Sequence, residues 1–140
     1  MLSEIEPEIL KQTRFAKVQA IYQFLLLDNK NEVLMQFHDR SDEDLGDRNL
    51  FFKDINKIVN SLDDIEDTLM EILDNGKWRW ENTGCIVKSL LICGSFDLSN
   101  CENKKQVVDH YISIARIFGE EESIAFLHSN LENVKIFLNS

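Results

Sequence analysis

Phe15, Val18, Ile21, Tyr22, Leu25 and Leu26 recur at spacings of three and four behind the chain's single proline, Pro7. That spacing lays one apolar stripe along a helix. A proline in the first helical turn costs no hydrogen bond, because the N–H it lacks has no partner there. The same period returns in every later apolar stretch, and no stretch alternates with a period of two. With 5 Gly and 1 Pro in 140 residues, little interrupts it. The expected fold class is therefore all-α: a compact single-domain bundle of about seven helices spanning 1–140.

The first helix ends at Asp28-Asn29-Lys30-Asn31, and a short second helix carries Val33, Leu34 and Phe37. Asp39 to Asp47 reads as a solvated loop with a glycine turn. A third helix is expected from Arg48 to Asn60, with Phe51, Phe52, Ile55, Ile58 and Val59 inward. Ser61 or Asp63 suits the cap of a fourth, with Ile65, Leu69, Ile72 and Leu73 on its stripe. Asn75-Gly76 signals a turn. The fifth, Cys85 to Leu98, is apolar almost all round, as a central helix would be. Asn103 and Gln106 have the spacing of a capping box for the sixth. Ile124, Leu127, Leu131, Val134 and Leu138 face inward on the seventh.

Net charge is −10, which disfavours non-specific binding to nucleic acid. The acid is regional: residues 39–74 hold 12 acidic and 4 basic side chains, a net of −8, and the remainder carries only −2. Cys85, Cys93 and Cys101 form no C-x-x-C pair, so they read as free thiols rather than a disulfide or zinc framework. His38, His110 and His128 lack metal-ligand spacing. No cofactor or metal is expected. The longest purely aliphatic run, Leu25 to Leu27, is far too short for a membrane span. The acidic N-terminus has no signal-peptide core. A cytoplasmic protein is the default expectation.

From Ile112 to Phe126 the chain reads I-S-I-A-R-I-F-G-E-E-E-S-I-A-F. Gly119 suits a left-handed helix stop. Glu120, Glu121 and Glu122 suit the positive end of the next helix dipole, and Ser123 can bond locally there. Ala115, Phe118, Gly119, Glu121, Ser123 and Phe126 resemble the C-terminal corner of the NusB family of bacterial transcription antitermination factors. Three more blocks resemble the family in order. They are Arg14 with Val18-Gln19-Ala20-Ile21-Tyr22, then Phe51-Phe52-Lys53-Asp54 with Ile58-Val59, and Leu90 to Leu98, where Gly94 and Ser95 stand at small-residue positions. The polar surface departs further from the family. Its arginine-rich N-terminus is reduced to Lys11 and Arg14, and the lysine before the corner phenylalanine is Ala125.

The resemblance implies a non-enzymatic protein that pairs with NusE, a small-subunit ribosomal protein. It implies binding to the boxA element of nascent ribosomal RNA transcripts within the RNA polymerase antitermination complex. It implicates Lys11, Arg14, Tyr22 and Phe126 in RNA binding, with Glu122 and Ser123 on an RNA or partner surface. Each residue also has a plainer role. Lys11, Arg14 and Lys17, three apart, equally suit a solvated helix flank. Phe126 and Phe137 point off the main stripe of their helix, toward either a second buried face or a stacking partner. Tyr22 leans toward the core. Trp78 and Trp80, interleaved with Lys77 and Arg79, suit RNA or, more simply, a seal between helices. The alternative function is a NusB-like protein-interaction module with weakened or lost RNA binding, its acidic 39–74 region meeting a basic partner. The chain has no room for a fused methyltransferase domain and no glycine-rich cofactor loop. It is expected as a monomer or homodimer.

Overall fold

The computed structural model describes residues 5–73 and 79–139. Within them the chain forms eight α-helices, two 3₁₀ turns and no strand. The helices are α1 (Pro7–Leu27), α2 (Lys30–His38), α3 (Asp42–Leu45), α4 (Arg48–Asn60), α5 (Leu62–Leu73), α6 (Cys85–Asn100), α7 (Lys104–Ile117) and α8 (Ile124–Leu138). The 3₁₀ turns, Trp80–Asn82 and Glu121–Ser123, lead into α6 and α8. No helix among these residues is long and apolar enough to cross a membrane. Trp78, Lys77 and the Asn75-Gly76 turn signal lie outside the described residues.

Helices α1 and α6 pack against each other at the centre. α2, α3 and α4 gather on α1, while α5, α7 and α8 gather on α6. The sequence explains the division. α6 is the helix with apolar residues almost all round, and ten of its residues are buried. Gly94 lets α8 come close, since a Cβ there would sit 2.7 Å from a Leu131 methyl. The expected inward residues of α4 hold, with Phe51, Ile55 and Ile58 buried and Phe52 and Val59 half-buried. Pro7 opens α1 as expected.

Local chemistry sets the ends. Asp47 caps α4 by accepting from the Leu50 N–H at 2.9 Å, and Asn103 caps α7 through the Gln106 N–H at 3.0 Å. Only half of the expected capping box forms, because the Gln106 side chain turns to Arg14 instead. Ser123 makes no side-chain cap bond, contrary to expectation, because its backbone is helical (φ −96°, ψ −1°) as the last residue of a 3₁₀ turn, not in the extended conformation from which a cap side chain reaches the next turn. The segment expected as a plain solvated loop contains α3, and Leu45 within it is fully buried. Trp80 is buried, donates from its indole N–H to Glu66 at 2.9 Å and carries Lys88 over its ring. It seals the gap between α5 and α6.

Candidate nucleic-acid and partner interface

The interior of the α1–α6 contact is ionic. The Arg14 Nε donates to Asp97 Oδ2 at 2.9 Å, and Lys17 Nζ donates to Asp97 Oδ1 at 2.6 Å and to Asp54 Oδ2 at 2.9 Å. The Tyr111 hydroxyl adds a third bond to Asp97 at 2.6 Å. Side chains from α1 and α7 thus meet on the Asp97 carboxylate of α6, and Asp54 of α4 joins the cluster through Lys17. Two cations face two carboxylates, so the buried charge is balanced, which is the condition for tolerating it. Burial alone would push Asp97 up, but Lys17 and Arg14 outweigh it and hold the carboxyl below its ordinary value. Burial likewise opposes the charge on Lys17, and Asp97 and Asp54 outweigh it and raise its pKa. Arg14 is raised in the same way by Asp97 against burial.

His110 completes the cluster on the solvent side. Its Nδ1 lies 2.9 Å from an Arg14 terminal nitrogen, which can only donate, so the ring accepts. Burial first, then the charges of Arg14 and Lys11, push its pKa down from 6.5 to about 4. The ring is therefore neutral in the folded protein at neutral pH. Between about pH 6.5 and about 4 the unfolded chain binds a proton at this site that the folded chain refuses. Stability contributed by His110 is present above that window and is lost as pH falls through it. Urea midpoints measured across the window are expected to fall more steeply for the wild type than for His110→Gln, whose amide oxygen still accepts from Arg14. Parallel curves would remove His110 from this role.

The expectation for Arg14 changes with its burial. The residue is 1% exposed, and its guanidinium is engaged by Asp97, His110, Gln106 and Cys101. Helices α6 and α7 and Cys101 between them supply the acid and the acceptors that draw it inward, so it anchors α1 and does not present its charge to solvent. Lys17, with Asp97 and Asp54 as partners, is equally buried. Of the three cations spaced along α1, only Lys11 reaches the surface, half-buried and without an ion pair among the described residues.

The C-terminal corner is built as the residues suggest. Gly119 has φ +78°, and nothing lies within 4 Å of the position a Cβ would take, so backbone conformation rather than space favours glycine there. Its N–H bonds the Arg116 carbonyl and the Glu120 N–H bonds the Ala115 carbonyl at 2.9 Å, the paired bonds of a Schellman stop. Phe118 turns back and stacks on Phe15 of α1, with centroids 5.0 Å apart and planes 9° apart.

That stack brings the corner to α1. Lys11, Phe15 and Tyr22 share one flank of the helix, since residues three, four and seven apart lie on one face. Tyr22 and Phe126 are half-buried, and Phe126 packs against the core. Glu122 is exposed and Ser123 half-buried. Arg116, exposed and 3.8 Å from Glu121, is a further cation beside the corner that sequence reasoning missed. Its only signal was its place two residues before Phe118. An exposed pair at that distance contributes little, so Arg116 is easily redirected to another anion.

The fold and this surface define an all-helical domain whose helix–turn–helix corner docks on its first helix. The NusB family model matches residues 11–135, and the chain belongs to the NusB family. Relatives carry the name transcription antitermination protein NusB. One, from Bradyrhizobium sp. (strain ORS 278), is 30% identical over 132 residues, covering 86% of this chain and 78% of the relative. Another, from Alcanivorax borkumensis, is 24% identical over 131 residues, covering 91% of this chain and 85% of the relative.

Proposed function

We propose that this protein is a transcription antitermination factor that pairs with NusE and binds boxA RNA. The observation that carries this reading is membership of the NusB family across residues 11–135, a span that includes most of α1 and the corner. Lys11 supplies a phosphate contact at the surface. The half-buried rings of Tyr22 and Phe126 offer edges or faces to unstacked bases. Glu122 and Ser123 lie at the side of the corner where RNA or NusE is met. Arg14 enters as the residue that fixes α1, through Asp97, and so holds Lys11 in place.

With the charge of Arg14 neutralised inside the protein, RNA affinity in the absence of NusE is expected to be weak. Lys11→Glu should weaken the ternary complex and lower its salt slope by about 0.7, the effect of one lost phosphate contact on a single strand. Phe126→Ala should weaken it with the slope unchanged, since stacking releases no counterions. A gel shift at several salt concentrations separates the two, and indifference to both substitutions would count against this surface. A protein-interaction module with reduced RNA binding is the second reading. The inward turn of both Arg14 and Lys17 favours it, and it expects NusE to bind with no gain in RNA affinity.

A further inference from the structure

Arg14 fixes the tautomer of His110. The ring accepts from Arg14 at Nδ1, 2.9 Å away. A neutral imidazole that accepts at Nδ1 carries its one hydrogen on Nε2. The neighbours keep it neutral. Burial, Arg14 and Lys11 disfavour the charged ring, and Asp109 and Asp97 oppose them more weakly. Asp109 is itself paired with Lys105, and Asp97 with Arg14, Lys17 and Tyr111. The ring is half-buried, and Nε2 is not one of the enclosed polar atoms left unpaired. Its hydrogen therefore opens to solvent, with no partner among the described residues.

Lys11 stands beside it. Three residues before Arg14, it lies on the same flank of α1, close enough for its charge to act on the ring. It is half-buried and has no ion pair among the described residues. The seam between α1 and α7 that holds this pair also holds the Phe15–Phe118 stack, so it runs into the corner. The seam thus offers an ammonium and a neutral N–H, and at neutral pH both can only donate. A ligand held by both must accept, and Lys11 favours one that is negative. Behind the ring, the guanidinium of Arg14 polarises the imidazole and strengthens its outer N–H as a donor. The charge of a buried arginine reaches the surface through a histidine.

We propose that His110 is a further RNA contact, its Nε2–H and the Lys11 ammonium donating together to one backbone phosphate at the α1–α7 seam. The inference rests on the RNA-binding reading above and adds to it a residue of α7. Arg14 is then a positioning residue, which orients and polarises the ring without touching RNA.

The test is a fluorescence-anisotropy titration of boxA RNA with the full chain and NusE, comparing His110→Asn and His110→Gln with the wild type. Asn keeps an acceptor for Arg14 near the Nδ1 position but holds no donor as far out as Nε2. Gln keeps that acceptor and carries its amide N–H groups one bond further out, within reach of the same phosphate. His110→Asn is expected to weaken the complex about tenfold, the size of one hydrogen bond to a charged group. The salt slope should stay unchanged, because the lost donor is neutral. His110→Gln should stay within threefold of the wild type. Urea midpoints of the two variants at neutral pH should agree, so that loss of fold does not produce the difference. Nitrogen NMR shifts of the ring in the free protein should place its hydrogen on Nε2. A wild-type mixture that does not bind boxA sinks the RNA-binding reading and this inference together. A wild-type complex that His110→Asn leaves within twofold, or that both substitutions weaken equally, overturns the inference alone, as does a ring hydrogen found on Nδ1.

Discussion

Replacing Asp97 by Asn is expected to destabilise the protein by about 3–5 kcal/mol, the range for a buried ion pair broken on one side. Asp97 accepts from Arg14, Lys17 and Tyr111 at once. Without its charge, two buried cations share only Asp54, which lies against Lys17. A domain of this size has about 5–15 kcal/mol in total, so the variant should sit close to its unfolding transition at ordinary temperature. Urea unfolding at neutral pH measures the loss. Arg14→Met combined with Asp97→Asn should cost less than the sum of the two single changes, because the double variant no longer strands the guanidinium. A loss under about 1 kcal/mol for Asp97→Asn would mean that the cluster does not hold α1 to α6.

Gly46→Ala should be nearly as damaging. Gly46 has φ +72°, where a side chain is strained, and a Cβ would sit 2.5 Å from the Ile9 carbonyl and 2.8 Å from the Thr13 nitrogen. Both contacts are backbone, so no rotamer change relieves them. The turn lies directly on α1, where the Thr13 hydroxyl accepts from the Asp47 N–H at 2.8 Å and donates to the Ile9 carbonyl. Strain and steric conflict together amount to about 3 kcal/mol or more. In a domain of this length that corresponds to a fall of about 6–12 °C in Tm, which thermal unfolding reads directly. A Tm within about 2 °C of the wild type would show that this turn moves off α1 at little cost.

How far the sequence was legible differs between elements. α4 begins and ends at the residues its stripe indicates, because Phe51, Ile55 and Ile58 repeat over two turns and Asp47 marks the start. α3 escaped because four residues are too few to show a period, and D-E-D-L reads locally as a solvated loop. Its one clue was Leu45 beside Gly46. The corner was legible in detail, since a helix stop depends on local backbone preferences that Gly119 expresses by itself. Ser123 was not, because a neighbouring 3₁₀ turn changed the backbone it would have capped.

The candidate site was harder to read for a physical reason. The spacing of Lys11, Arg14 and Lys17 places them along one side of α1 but does not say which side is buried. That depends on Asp54 and Asp97, 37 and 80 positions away from Lys17. The available signal was Asp97 itself, a lone carboxylate in a helix otherwise apolar nearly all round. Such an acid needs a buried cation, and helix α1 had two to offer.

A NusB fold with one of the three α1 cations left at the surface is expected still to recognise boxA RNA when NusE is present. The direct measurement is a gel shift of the purified protein, with and without NusE, on boxA RNA and on a scrambled RNA of the same composition at near-physiological salt. The expected result is a complex on boxA that requires both proteins and is at least tenfold tighter than on the scrambled control. No shift on boxA in the mixture, or equal affinity for the two RNAs, would contradict it.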